Sequence, residues 1–406
     1  MTIKLSNQLA NDSKRIPKNF YFVGLLLSGI SFRIIGDVYV GEIILSILAI
    51  HRFLKREKYT APKIWRILLI AGIIWTFANL IGSIHSSKSF EVTLISVFTP
   101  ILTLSCLSTC HYFMNQNESL FFKSIFLFAL GRFIGIVVDP LPYTETYPWK
   151  FGYGEATILL FIVVSYYLRI GKLQILGGIA LCVISFINQA RTLAFMTFVS
   201  ILAVLPSSRN RKNQSFLIII GILLPIAYWI YIDLAVSGVL GVKEISRARL
   251  LTATDLGPLA ARKEIVFSFR AFMESPFFGY GFYPNVNTQV IISGYQFWAD
   301  QGYPIYNYDP SKMPLHSFIW SAVIQGGIFA GGFWAISILF AMNTILRIMD
   351  YRPEIRVVIM YSAVAIIDRI LFSPFGAYER LFVAIFMGNL IVVSGKKEFK
   401  ANHVQE

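Results

Sequence analysis

Apolar residues run in stretches of about helix-spanning length, broken by short polar or basic segments, along nearly the whole chain. A membrane-crossing helix needs roughly 20 mostly apolar residues, or about 17 at the short end. Twelve segments fit: 19–36, 38–54, 64–85, 92–114, 120–139, 155–171, 173–189, 191–206, 215–233, 315–340, 355–372 and 380–395. The stretch from Lys172 to Pro206 reads as one overlong helix until its flanks are considered. Both are basic, so both ends belong on the same side of the membrane, and a turn is expected near Asn188 to Arg191. One connection is far longer than the rest, from Leu234 to Pro314. Within it, ARKEIVFSFRAFMESPFFGYGFY has helical spacing at Ile265, Phe269 and Phe272, then Pro276 and glycines to end the element. The pattern predicts an all-α polytopic membrane protein of about 12 transmembrane helices with one large, ordered extracytoplasmic loop.

Composition agrees. Hydrophobic residues make up 56% and charged residues 14% of the 406, against roughly 45–50% and about 25% in soluble domains. So few charges do not cover the surface of a soluble protein of this length. The three cysteines, Cys106, Cys110 and Cys182, lie inside apolar runs and give no disulfide framework. Lys4, Lys14, Arg15 and Lys18 precede the first apolar run in the manner of a secretion signal. No small-residue cleavage site follows, so this run is read as the first span.

The net charge of +14 matters through its placement. Basic residues gather at 4–18, 52–66, 123, 169–172, 209–212, 347–356 and 396–400. In a twelve-span arrangement with both termini in the cytoplasm, every group falls on the cytoplasmic side, as the positive-inside rule requires. The organisation expected is residues 1–233 with nine spans, 234–314 as the extracytoplasmic (periplasmic) loop, and 315–406 with three spans and a cytoplasmic tail. No basic arm points to nucleic acid.

The remaining basic residues carry the chemistry. Arg132, Arg191, Arg369 and Arg380 lie in or at the outer ends of spans. A charge there costs at least roughly 2.5–3.5 kcal/mol and usually faces a cavity or a partner. Arginine suits phosphate, because its planar fork donates two parallel hydrogen bonds and stays charged. Arg132, Arg247, Arg249, Arg270, Arg369 and Arg380, with Tyr280, are read as substrate-binding. Blander readings stand beside these: Arg33 and Arg380 as snorkelling side chains, and Arg369 in an internal ion pair, since Asp368 precedes it. His316, where the long loop meets a span, is read as a base for a sugar hydroxyl, against the alternative of a structural histidine. No histidines have metal-binding spacing, and no protein-held metal or other cofactor is expected. Gly279–Phe282 (GYGF) lacks the strand and helix of a nucleotide fingerprint and reads as a tight turn. Gly326, Gly327, Gly331 and Gly332 read as a small-residue face for helix packing.

Three pieces together resemble the O-antigen polymerase and O-antigen ligase superfamily of membrane glycosyltransferases. They are FINQARTLAFMTFVSILAVL (186–205), ARKEIVFSFRAFMESPFFGYGF (261–282) and PLHSFIWSAVIQGGIFAGG (314–332). Ser317 stands where that family usually has Asn after its histidine. The resemblance implies a donor of undecaprenyl-pyrophosphate-linked glycan and an inverting, metal-independent transfer on the outer face of a bacterial inner membrane. It implies that Arg191 and Arg262 hold the pyrophosphate and that His316 handles the acceptor hydroxyl. Membrane lipid and a chain-length regulator protein are the further partners implied. A polymerase is the leading expectation. A ligase that moves finished glycan to lipid A core or another acceptor is the close alternative, and a lipid-linked oligosaccharide flippase is the alternative of another class.

Overall fold

The computed structural model describes residues 18–30, 32–35, 38–55, 62–140, 142–168, 171–204, 229–239, 245, 248, 264–301, 313, 315–396 and 399–400. Thirteen labelled helices carry the architecture. They are α1 (Lys18–Ile30), α2 (Val40–Leu54), α3 (Lys63–His85), α4 (Phe90–Met114), α5 (Glu118–Val138), α6 (Gly154–Tyr167), α7 (Gly171–Ile187), α8 (Arg191–Leu202), α9 (Glu264–Glu274), α10 (Thr288–Asp300), α11 (Phe318–Leu346), α12 (Pro353–Phe372) and α13 (Ala377–Gly395). The sheet among the described residues is one small antiparallel hairpin between α1 and α2, β1 (Arg33–Ile35) with β2 (Val38–Tyr39).

Five of these helices, α3, α4, α5, α11 and α13, are long and apolar enough to cross a membrane. This supports an all-α membrane protein, while the expected count of twelve spans is not reached among the described residues. The expected first span stops at Ile30 with 13 residues, because the chain turns into the Arg33 hairpin. The expected eighth span becomes α8, with 12 residues. In α12 the length is sufficient at 20 residues, but Glu354, Arg356, Asp368 and Arg369 interrupt its apolar character. Most of the expected 215–233 span lies outside the described residues. The turn between the two contested spans falls where the basic flanks placed it, with α7 ending at Ile187 and α8 beginning at Arg191. Gln189 makes the reversal with φ of 59°.

Lipid-type surfaces account for the exposed apolar side chains. On α3, Ile70, Ile73, Phe77, Ile81 and Ile84 form an outward stripe, while Trp65, Leu68, Trp75 and Asn79 face inward. Helix α13 sits deepest, with Phe382, Phe386, Met387 and Leu390 almost wholly buried. It packs on α4 and α12, and α1 packs on α5.

Of the long loop, the described part contains α9 and α10. They enclose a small core of Phe267, Ala271, Val290, Ile291 and Trp298, completed by Ile324 of α11. The expected helix is present, but its packed face is Phe267, Ser268 and Ala271, with Phe269 outward at 51% exposure. The reading based on Ile265, Phe269 and Phe272 picked a neighbouring stripe. In a helix with apolar residues on several sides, only the partner selects which one is covered.

The glycine-rich stretch of α11 also differs from the expectation. Gly326 (φ −132°, ψ 20°) and Gly327 (φ 68°, ψ −167°) break the helix, although Gly326 also packs closely on Ala78 and Asn79 of α3. The freed backbone groups take partners from Pro276–Gly281, the turn after α9. Tyr280 N donates to Ile324 O (2.7 Å), Gly281 N to Gln325 O (2.9 Å), and Ile328 N to Pro276 O (2.9 Å). Non-helical backbone inside a membrane bundle persists where protein satisfies it. The tight turn is thus also the plug of an interrupted helix.

Candidate functional site

Close backbone approach builds one end of the bundle. A Cβ on Gly131 of α5 would collide with Leu26 O of α1, and one on Gly29 with Phe128 O, so small residues let the two helices touch. Arg132, next to Gly131, is thereby brought to the end of α1 and the Arg33 hairpin. A π-helical turn, Trp149–Tyr153, leads into α6. Its Trp149 indole donates to Ser185 Oγ of α7 (2.9 Å). This turn presents Phe151 O, which accepts from Arg132 Nη2 at 3.1 Å.

The C-terminus of α12 and the first turn of α13 close the other side. Arg369 is the hub. One guanidinium nitrogen pairs with Glu155 Oε1, and the other with Glu379 Oε1 at 2.9 Å. Tyr378 Oη donates to Glu155 Oε2 at 2.7 Å, so both Glu155 oxygens are held. Arg132 lies over the Tyr378 ring, 4.2 Å from its centroid. These groups enclose a cavity of about 460 Å³. Its cations are Arg33, Arg132, Lys150 and Arg369, and its carboxylates are Asp139, Glu155 and Glu379. Arg369 is committed to Glu155 and Glu379, while Arg33, Arg132 and Lys150 also line the cavity. Arg132 is half-buried, Arg33 and Lys150 are exposed, and one Arg132 donor is spent on Phe151 O. A set of this kind suits an anionic ligand with several oxygens. Among the described residues, no three His, Cys, Asp or Glu side chains are grouped to hold a metal ion.

Of the residues singled out in the sequence, Arg132 and Arg369 meet in this cavity. Arg191 begins α8, half-buried, over the Tyr231 ring at 4.7 Å. It does not line the cavity, although Leu193, two residues on, does. His316 is exposed and also outside the lining. Its neighbour Ser317 caps α11 by accepting from Trp320 N, and donates to Ile370 O at 3.0 Å. That bond places His316 at the same bundle end as Arg369. Ser317 therefore has a capping role here. Arg262, Arg247 and Arg249 lie outside the described residues. Arg270 borders a separate groove between α9 and α10, beside the Phe297 ring (5.8 Å). Tyr280 donates its hydroxyl to Glu274 Oε2 at 2.9 Å; burial, then that carboxylate, push its phenol up from the ordinary range.

Arg380 turns inward. It donates to Glu42 Oε1 (3.1 and 3.2 Å) and Oε2 (3.3 Å), with both side chains almost fully buried at 4% and 1% exposure. Glu42 also accepts from Tyr39 N at 3.1 Å, which ties α13 to the hairpin at the cavity's floor. Arg380→Ala is expected to destabilise the protein by about 3–5 kcal/mol, because it removes one partner of a buried ion pair. Joint replacement by Glu42→Leu and Arg380→Met should cost much less. Melting temperatures of the purified single and double variants in detergent check this.

Sequence reasoning missed Glu155, Tyr378 and Glu379. A signal existed, because carboxylates inside apolar runs are as costly as arginines, and both glutamates open such runs. The internal ion pair expected for Arg369 is present, made with Glu155 and Glu379, with the charge of Asp368 nearby. No protein-family model, curated protein or solved structure matches this chain.

Proposed function

We propose that this chain is a membrane glycosyltransferase of the polysaccharide-polymerase type. It moves undecaprenyl-pyrophosphate-linked glycan onto a lipid-linked repeat unit, in a bacterial inner membrane. The observation that carries the proposal is the cavity lined by Arg33, Arg132 and Lys150. The ends of α1, α5 and α12 and the starts of α2, α6, α8 and α13 meet there. The basic groups at Lys18, 52–66, Lys123 and 347–356 belong to the opposite helix ends. Under the positive-inside rule the cavity then faces away from the cytoplasm, where lipid-linked glycans are joined.

The chemistry follows from the charges. As the anomeric carbon leaves pyrophosphate, negative charge grows on the phosphate oxygens. Arginines fixed in place stabilise that charge without further reorganisation. Arg132 is the best placed of the three, because its guanidinium is oriented by Phe151 O and Tyr378. Arg191, Arg262 and His316 complete the proposal from the sequence resemblance, His316 orienting the acceptor hydroxyl at the bundle end that Arg369 shares.

The test is polymer formation by the full-length protein in nanodiscs, supplied with purified lipid-linked repeat units in the presence of EDTA. Chain elongation is the expected result. Transfer to lipid A core but not to a second repeat unit would make it a ligase. Movement of labelled lipid across vesicles with no new glycosidic bond would make it a flippase and overturn the proposal.

Orientation is tested separately. A cysteine introduced at Tyr295 in α10 should react with an impermeant maleimide in intact cells when the partly exposed Cys182 is replaced by serine, since Cys106 and Cys110 are buried. Labelling only after the membrane is opened would invert the topology.

A further inference from the structure

We infer that Glu379 is the proton acceptor of this site, taking the proton of the attacking hydroxyl; the inference rests on the glycosyl-transfer reading above. The two glutamates of the cavity are held differently. Glu155 has both oxygens bonded, one to Arg369 and one to Tyr378. Glu379 has one oxygen on Arg369 at 2.9 Å, and its Oε2 has no hydrogen-bond partner. The side chain is 17% exposed and lines the cavity, while Oε2 itself is shielded. The last torsion of a glutamate is a broad two-fold rotor, so a small turn offers this oxygen to a guest while the other stays on Arg369.

The surroundings assign the two carboxylates different tasks. Charged groups facing Glu379 are Arg369 and Asp368 of α12, Glu155 of α6 and Arg132 of α5. Arg369 holds one carboxyl oxygen of Glu379, and Arg132, which lies over the Tyr378 ring, lines the same cavity. A donor with its pyrophosphate on Arg132 therefore lies in the cavity that Glu379 also lines. In the step, the acceptor oxygen forms a bond to the anomeric carbon as the bond from that carbon to the phosphate oxygen breaks. The electron pair of the breaking bond leaves with pyrophosphate, and the hydroxyl proton goes to Glu379 Oε2. The substrate this implies is a neutral sugar hydroxyl, which needs its proton removed, and not a phosphate or carboxylate nucleophile.

The experiment measures kcat, KM and their pH dependence for wild type, Glu379→Gln and Glu379→Asp, all full length in nanodiscs with lipid-linked repeat units. Glutamine keeps the acceptor for Arg369 and removes the base. Its kcat should fall by roughly 10²–10⁴, with KM within about threefold. The acid-side fall in rate, present in wild type as the carboxylate becomes protonated, should vanish. Aspartate should restore part of the rate together with that acid limb. Wild-type kcat and pH profile in Glu379→Gln would overturn the inference while leaving glycosyl transfer intact. So would a lower kcat with an unchanged pH profile, the mark of a structural role. If Glu379→Gln fails to fold, an aspartate variant that folds but lacks the acid limb also overturns it. Absence of transfer by wild type, by contrast, removes the glycosyl-transfer reading itself.

Discussion

Arg132→Ala is expected to cut glycosyl transfer by roughly 10²–10³, the loss seen when one preorganised donor to a developing oxyanion is removed. The fold should survive. Arg132 is half-buried at the cavity edge and bonded to a backbone carbonyl and an aromatic face, not to a buried carboxylate. Arg132→Lys should recover only a fraction, because an ammonium keeps the charge but loses both the planar fork and its stacking on Tyr378. Arg369→Ala is the informative contrast. It leaves Glu155 and Glu379 together without their shared cation, so its loss of activity should come with loss of folded protein. Turnover and melting temperature measured on the same preparations separate the two. An Arg132→Ala protein with wild-type turnover would remove the anion site from the mechanism.

The second large effect is structural. Gly327→Ala should destabilise the protein by about 3–5 kcal/mol, a sum of backbone strain and overpacking. At φ 68° and ψ −167° the residue occupies a region that side chains scarcely enter. An added Cβ would also strike Phe277 O of the inserted turn. The plug would be pushed out, and the hydrogen bonds to Ile324 O and Gln325 O lost with it. The melting temperature in detergent should fall by roughly 5 °C or more. Gly332→Ala in the same helix has open space around its Cβ and should be nearly neutral. Equal melting temperatures for the two variants would mean that the break in α11 is not needed for stability.

Much of the helical framework was legible because a bilayer imposes a simple rule. Backbone polar groups need partners within the segment, so apolar runs such as 64–85 and 92–114 have little choice but helix. The turn at 188–190 was readable for an electrostatic reason, since basic residues flank both ends of the pair. Span number was less accessible. The local run 19–36 contains no mark that Ile30 ends a helix and Arg33 starts a hairpin. That decision depends on α5, whose glycines admit α1 at backbone distance.

Sequence alone determined the class of molecule and the arginines that do not belong in an apolar segment. Composition and charge placement are summed over the chain and do not depend on who meets whom. Tertiary structure alone decided the pairings. Arg369 took Glu155 and Glu379, Arg380 turned to Glu42, and Arg132 faced the cavity. A buried charge settles on whichever opposite charge the packed helices bring within reach, and that distance is set by side chains hundreds of residues away.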